Sequence, residues 1–213
     1  MELYKVGSRG AMVKRIQQAV GCYPDGVFGK LTEESVKAWQ LAHGLIPDGI
    51  VGAKTLAKMF PQVLGLKKSK RRIDLILVHC TATREGNDYT VEQIRKDHRK
   101  RGWSDIGYHY VIYRDGTIHE GRSVDVSGAH CEGYNAHSIG VVYVGGLENI
   151  PNVPYEELPP KDTRTEAQKV ALLSLLMDLR KIYPQAKIAG HRDYDRKGKA
   201  CPSFDAKTEY KDI

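Results

Sequence analysis

Hydrophobic residues recur at helical spacing in the first 60 positions, in stretches that are separated by turns. The apolar positions are Met12, Val13, Ile16, Val20, Val36, Trp39 and Leu41. The turn Pro24-Asp-Gly-Val-Phe-Gly29 recurs 23 positions later as Pro47-Asp-Gly-Ile-Val-Gly52, and Thr32 and Thr55 follow at positions suited to helix N-caps. The pattern predicts three short helices that are joined by glycine turns and share one small core.

Beyond residue 72 the pattern changes to short apolar runs that alternate with amphipathic stretches. Buried strands are predicted at 73–79, 138–144 and 186–189. A hairpin is predicted at 108–113 and 117–119, because Asp115-Gly116 stands between β-forming residues. Capping-box sequences at 90–93 and 163–166 predict helices that run to Arg101 and to Tyr183, and the four prolines within 145–162 predict a loop. This order predicts the α/β class, with a mixed central sheet flanked by helices, preceded by a small all-α domain.

These patterns divide the 213 residues into a domain at 1–65, a linker at 66–72 and a larger domain at 73–213. The linker holds the densest basic run of a chain whose formal charge is +7. A solvated linker explains such a run, and attraction to an anionic wall or membrane surface is an alternative. Nucleic acid is not expected as a partner, because the sequence has neither a groove-reading motif nor basic residues interleaved with exposed aromatic ones.

The composition, 41% hydrophobic and 28% charged, is that of an ordinary globular protein. No run approaches the roughly 18 consecutive apolar residues that a membrane span requires. The first residues lack the basic and apolar regions of a signal peptide, so we expect synthesis in the cytoplasm and export through a separate pore if the target is a wall. The cysteines, Cys22, Cys80, Cys131 and Cys201, form no CxxC pair, and a monomer without a disulfide framework is expected.

Three candidate metal ligands stand at the ends of predicted strands or just beyond them. His79 closes the first strand, His191 follows the last, and Cys201 comes ten residues later. Two imidazoles and a thiolate suit tetrahedral zinc, and three protein ligands leave a fourth position for a water molecule. A single histidine late in a strand is more often structural than metal-binding. Taken together, the three residues predict metal-assisted amide hydrolysis and no particular substrate.

The sequence around these candidates carries six ordered motifs: Val78-His79-Cys-Thr-Ala-Thr83, Gly107-Tyr-His-Tyr110, Gly128-Ala-His-Cys-Glu-Gly-Tyr-Asn135, Ser138-Ile-Gly140, Gly190-His-Arg-Asp193 and Lys199-Ala-Cys-Pro-Ser-Phe-Asp205. Together they resemble the zinc N-acetylmuramoyl-L-alanine amidase family, which includes small phage amidases and the peptidoglycan recognition proteins. Residues 3–59 resemble the three-helix peptidoglycan-binding domain that accompanies many wall hydrolases.

The resemblance implies roles for particular residues. The family's zinc ligands fall on His79, His191 and Cys201, and two further family positions fall on Tyr108 and Lys199. Tyr108 would donate a hydrogen bond to the oxyanion or position water, and Lys199 would stabilise negative charge or pass a proton. His130 and Asn135 lie in the loop through which the family contacts its glycopeptide, so both are predicted to bind substrate. Asp193 is a candidate to orient a ligand, whereas Cys80, whose side chain should point to the opposite face of its strand from that of His79, and Cys131 are interpreted as structural.

The function that this resemblance implies is that of a phage endolysin. The catalytic domain would hydrolyse the amide between N-acetylmuramic acid and L-alanine of bacterial peptidoglycan, and the first domain would concentrate it on the wall. One alternative is a non-catalytic recognition protein; some members of the family lack the cysteine that Cys201 supplies here. A glycosidase is a second alternative, but no acidic pair stands in a motif. A side role in binding a polymerase, known for some phage amidases, is not tested by these residues.

Overall fold

The computed structural model describes residues 3–60, 65–196, 198–211 and 213. The chain divides into two compact units, Met1–Pro61 and Gln62–Ile213. Within the described residues, no helix is long and apolar enough to cross a membrane.

The first unit contains the three helices that the hydrophobic spacing predicts: α1 (Ala11–Ala19), α2 (Lys30–Ala42) and α3 (Ala53–Met59). Its buried apolar residues are Tyr4, Met12, Val13, Ile16, Phe28, Val36, Val51 and Leu56. The prediction that Leu41 faces this core is wrong, since its side chain is 69% exposed. The buried face of α2 instead carries Val36 and the polar Gln40, four residues apart on one side of the helix.

Two buried glutamines, one for each copy of the repeat, hold the turns of the first unit. The Gln17 amide donates to Asp25 Oδ1 at 2.7 Å, Val27 O at 3.0 Å and Thr32 Oγ1 at 3.2 Å, and accepts from the Gly26 N–H at 2.8 Å. The Gln40 amide makes the equivalent contacts with Asp48, Ile50, Thr55 and Gly49. The sequence repeat is therefore a repeat of one hydrogen-bond network.

This network corrects the prediction that Thr32 and Thr55 are helix N-caps. Gly29 and Gly52 occupy the N-cap positions of α2 and α3, and neither makes a side-chain cap. The two threonines are the third residues of these helices, within the first turn, where their hydroxyls accept hydrogen bonds from the glutamines. The glutamines are distant in sequence, so local capping rules do not anticipate these contacts.

Replacing Gln17 by leucine is expected to lower the free energy of unfolding of the first unit by about 1–3 kcal/mol, because the Gly26 N–H and the Thr32 hydroxyl lose a buried partner. Urea unfolding followed by Trp39 fluorescence in a Trp103→Phe background measures this change, since Trp39 belongs to the first unit and Trp103 to the second. Gln18→Leu is the control, because Gln18 is exposed on the same helix. Equal midpoints for the two variants would contradict the assigned role.

The second unit is built on a mixed five-stranded sheet, as the order of predicted elements indicates. Its strands are β1 (Leu75–Cys80), β3 (Tyr110–Ile112), β4 (Ile118–Glu120), β5 (Ser138–Tyr143) and β7 (Lys187–Gly190), in the spatial order β4-β3-β5-β1-β7. β1 runs parallel to β5 and β7, β3 runs parallel to β5, and β4 pairs antiparallel with β3 as the predicted hairpin. The central strands β1 and β5 are buried along their whole length, which explains their continuous apolar sequences.

Helices α4 (Val91–Lys100), α5 (Glu166–Ile182) and α6 (Ala206–Glu209) accompany this sheet. The capping box predicted at the start of α4 is present, between Thr90 and Gln93. For α5 the predicted start at Thr163 is two residues too early, because the capping box forms between Thr165 and Gln168. The Gln168 amide also donates to two buried carbonyls of the sheet region, a contact that the local sequence does not reveal.

The segment 145–162, predicted to be a loop, contains one short strand. β6 (Gly146–Leu147) pairs in parallel with β2 (Thr83–Arg84) as a separate two-stranded sheet. The Arg84 guanidinium donates to the carbonyls of Ile150 and Val153. These contacts fasten the segment beside the end of β1, where His79 lies.

Part of the predicted linker belongs to the second unit. Ser69 is buried and its hydroxyl donates to Val124 O at 2.6 Å. The Arg71 guanidinium donates to the carbonyls of Val124, Asn135, Ala136 and Ser138. The interpretation of 66–72 as a solvated linker is therefore wrong for these two residues, because their side chains donate hydrogen bonds to backbone carbonyls that are distant in sequence.

Candidate active site

The register of the sheet brings His79 and His191 together. Val78 of β1 pairs with Gly190 of β7, so the residues that follow them lie side by side at one edge of the sheet. The two imidazole rings have their centroids 4.6 Å apart. This arrangement is the tertiary consequence of two neighbouring parallel strands in this register, in which β7 ends opposite Val78 of β1.

Cys201 reaches the same edge from the segment after β7. The Arg192 N–H donates to Cys201 O at 2.7 Å, which folds this segment back on itself. The Cys80 N–H donates to Cys201 Sγ at 3.3 Å, and the Cys80 thiol lies 3.7 Å from Ser203 Oγ. Cys80 therefore contacts the candidate ligand through its backbone, and the predicted direction of its side chain, away from that of His79, stays a prediction.

Three ligand atoms of His79, His191 and Cys201, hereafter the His–His–Cys cluster, lie within 4.8 Å of one another. The distance from His79 Nδ1 to Cys201 Sγ is 3.8 Å. A tetrahedral zinc ion with bonds of about 2.0 Å to nitrogen and about 2.3 Å to sulfur separates such a pair by about 3.5 Å. The cluster thus fits zinc in donor type, and the His79–Cys201 pair is close to the spacing that zinc requires.

Burial holds both imidazoles of the cluster in their neutral, metal-binding form. Burial, aided by the neighbouring His130, lowers the pKa of His79 well below its usual value. Burial and the nearby Lys199 lower the pKa of His191 in the same direction. Neutral nitrogens of this kind bind a metal ion without first losing a proton.

A carboxylate stands beside His191, but it is Asp195 rather than the predicted Asp193. His191 Nε2 lies 3.8 Å from Asp195 Oδ1, and Lys199 Nζ lies 3.9 Å from the same oxygen. Asp193 instead accepts the Gly190 N–H at 2.8 Å and closes a turn. Asp195 is not among the predicted site residues, although its position four residues after a candidate ligand is an available signal.

Tyr108 and Lys199, the two predicted catalytic residues, differ in their exposure. Tyr108 is partly buried and its ring centroid lies 5.2 Å from that of His79. Burial, with the Cys201 and Cys80 thiols nearby, raises the pKa of Tyr108, so the hydroxyl remains a hydrogen-bond donor at neutral pH. The Lys199 side chain is 56% exposed, and its ammonium group pairs with Asp195, the carboxylate that stands beside His191.

The two predicted substrate-binding residues make internal contacts. His130 is only 8% exposed, and its Nδ1 lies 3.1 Å from His79 Nε2. The Asn135 side-chain oxygen accepts the backbone N–H groups of His130 and Cys131. Contact of either residue with substrate stays a prediction.

A cavity of about 310 Å³ opens beside His191. It is lined by Cys131, Glu132, Gly133, His191, Tyr194, Asp195 and Arg196. Glu132, Tyr194 and Arg196 had no sequence signal, because they stand in two separate segments that only the fold brings together. The cavity gives a ligand of moderate size a place next to the His–His–Cys cluster.

Comparison with known families and structures agrees with this geometry. Residues 69–204 match the family described as N-acetylmuramoyl-L-alanine amidase, and residues 9–59 match a peptidoglycan binding domain. An endolysin of Klebsiella phage KP32 is 45% identical over 132 residues, which are 62% of this chain and 82% of that protein. A peptidoglycan-recognition protein of Drosophila melanogaster is 31% identical over 144 residues, which are 65% of this chain and 73% of that protein.

Among solved structures, the N-acetylmuramoyl-L-alanine amidase LysC from Clostridium intestinale URNW matches with a TM-score of 0.53 and 29% identity, over 70% of this chain and 89% of that one. Fold and sequence thus define a peptidoglycan amidase with an accessory wall-binding domain. The chain belongs to the N-acetylmuramoyl-L-alanine amidase family. The resemblance to phage amidases and recognition proteins that the motifs indicated is confirmed.

Proposed function

We propose that this protein is a zinc-dependent endolysin that hydrolyses the amide between N-acetylmuramic acid and L-alanine. The observation that carries the proposal is the His–His–Cys cluster, whose ligand atoms lie within 4.8 Å of one another at the sheet edge of an amidase fold. When bound there, zinc would polarise the amide carbonyl and acidify a water molecule. The non-catalytic recognition role is less well supported, because the full ligand set is present.

Two of the protein's own residues would stabilise the negative charge that develops during amide hydrolysis. The protonated Tyr108 hydroxyl donates a hydrogen bond to negative charge that develops on the carbonyl oxygen. Lys199 provides a cation at the entrance to the site, held near it by Asp195. The cavity beside His191 accommodates part of the glycopeptide, with Arg196 and Glu132 at its wall.

The first unit is proposed to hold the enzyme on peptidoglycan, with 1–65 and 73–213 as the working bounds of the two domains and 66–72 as the segment that joins them. The matched domain at residues 9–59 supports wall binding. A tethered catalytic domain has a higher effective concentration at its substrate. As in a phage lysis protein, synthesis would take place in the host cytoplasm, and a separate pore would give access to the wall.

Deleting residues 1–65 is expected to weaken sedimentation with purified cell walls by about 10-fold or more, because avidity between the two units is lost. Hydrolysis of small soluble muropeptides should persist, since the second unit has its own sheet and core and retains the contacts of Ser69 and Arg71. The match to the phage enzyme, in which 132 residues make up 82% of its length, supports an independent amidase unit. Unchanged wall binding by the shortened chain would contradict this assignment.

The test of the proposed reaction is mass spectrometry of products from purified peptidoglycan, digested with and without a zinc chelator. Free stem peptides that begin with L-alanine, and that disappear when the chelator is present, are expected. New reducing glycan ends would establish a glycosidase instead. Zinc binding and wall binding with no released product would support the recognition role.

A further inference from the structure

The side chain of His130 fills a closed space directly behind His79. A Cβ atom on Gly140 would lie 2.7 Å from the ring of His130, and one on Gly128 would lie 2.4 Å from it. The ring of His109 packs edge-on against His130, with centroids 5.7 Å apart. The two glycines therefore leave room for an imidazole at this position, and the packing fixes its orientation.

A chain of hydrogen bonds runs from the His–His–Cys cluster through this ring. His79 Nε2 lies 3.1 Å from His130 Nδ1, and His130 Nε2 lies 3.3 Å from the hydroxyl oxygen of Ser138. Ser138 is fully buried at the start of β5. Because the ends of this chain are shielded from solvent, protein groups determine which nitrogen of each ring carries a proton.

The direction of donation along these hydrogen bonds follows from the geometry at Cys201. His79 Nδ1 is the nitrogen that faces Cys201 Sγ, so it must be unprotonated to bind a metal ion. A neutral His79 then carries its proton on Nε2 and donates it to His130 Nδ1. His130 in turn carries its own proton on Nε2, from which it can donate to Ser138.

We propose that His130 is a positioning residue, which selects the tautomer of His79 and orients its ring toward the metal ion. The inference rests on the proposed zinc site and gives His130 a role other than substrate contact. Metal-bound histidines usually donate their second nitrogen to a carboxylate or a carbonyl. Here an imidazole, which must itself be held in one tautomer, takes that place.

Hydrogen bonds to its backbone hold the loop that carries His130 in place. Asn135 Oδ1 accepts the N–H of His130 at 2.8 Å and that of Cys131 at 2.9 Å. The Ala129 N–H donates to Gly107 O at 3.0 Å. Asn135 thus acts on the site through His130, at one remove further from the metal ion.

The experiment compares His130→Asn with His130→Leu in the full-length protein. Asparagine presents its side-chain oxygen near the position of Nδ1 and preserves an acceptor, whereas leucine fills space and accepts nothing. Zinc affinity, measured by competition with a chromogenic chelator, is expected to fall by about 10- to 100-fold in the leucine variant and much less in the asparagine variant. His137→Asn is the control, because His137 lies on the same loop and contacts Asp74 instead of the cluster.

Nitrogen-15 NMR of the imidazoles reports the tautomer of His79, which a purely packing role of His130 would leave unchanged. The wild-type protein should show His79 protonated on Nε2 before zinc is added, and the leucine variant should show mixed tautomers. At saturating zinc, the kcat of the leucine variant should be lower than that of the wild-type protein, and its KM should change little.

Three outcomes would overturn the proposal. Unchanged zinc affinity with a raised KM would make His130 a substrate contact. Equal losses in the asparagine and leucine variants would reduce its role to packing. Failure of the wild-type protein itself to bind zinc would refute the zinc site on which the inference depends, and that result is distinct from a defect confined to the variants.

Discussion

Replacing Cys201 by serine is expected to abolish stoichiometric zinc binding and to lower amidase activity by at least about 10³-fold. A serine hydroxyl stays protonated at neutral pH and is a poor zinc ligand, whereas a thiolate is a strong one. Two histidines alone would hold the ion weakly. Because Cys201 lies at the sheet edge and outside the buried apolar core, the fold should survive the change.

Zinc content after exchange into metal-free buffer, together with release of stem peptides, measures this effect. Cys22→Ser is the matched control: Cys22 is a free cysteine of the first unit whose thiol contacts Ser35. It should retain full zinc and full activity. A Cys201→Ser protein that keeps both would remove Cys201 from the ligand set and with it the proposed site.

Tyr108→Phe is expected to lower kcat by about 10²-fold while zinc binding remains intact. The ring of Tyr108 stays packed against His79, so the change removes a hydroxyl and little else. Since burial raises the pKa of Tyr108, the hydroxyl is a proton carrier or donor and not a phenolate. Loss of such a donor acts on the transition state more than on substrate binding.

Steady-state kinetics on a soluble muropeptide separate an effect of Tyr108→Phe on the chemical step from an effect on substrate binding. The expected result is a lower kcat, a nearly constant KM and one zinc ion per chain. Tyr110→Phe is the control, because Tyr110 is a buried tyrosine two positions further on, within β3. A large rise in KM with kcat unchanged would make Tyr108 a binding residue and would contradict its catalytic role.

The variants at Cys201 and Tyr108 bear on the choice between hydrolysis and recognition. The relatives of this chain include phage endolysins and peptidoglycan-recognition proteins. A Tyr108→Phe protein that keeps zinc is expected to bind wall fragments while it hydrolyses them slowly. The variants above therefore separate recognition from hydrolysis within one protein.

Several features could be predicted because they depend on neighbours in sequence. The capping box at Thr90, the hairpin turn at Asp115-Gly116 and the apolar strand that ends at His79 all follow from periodicity and turn chemistry. The candidate ligands were found in the same way, since each stands at or beyond the end of a predicted strand. Motif order then related them to one family.

Other features were decided by contacts between distant segments. Thr32 accepts a hydrogen bond from Gln17 instead of capping a helix, and Arg71 binds the carbonyls of loops more than 50 residues away. His130 lies behind His79, and Asp195 replaces Asp193 beside His191. Local rules describe how the backbone satisfies itself, whereas buried polar side chains take whichever partner the packed fold places within reach. The sequence by itself thus determined the central strands, most of the helices and the chemistry of the candidate ligands, and only the tertiary structure decided which polar groups contact those residues.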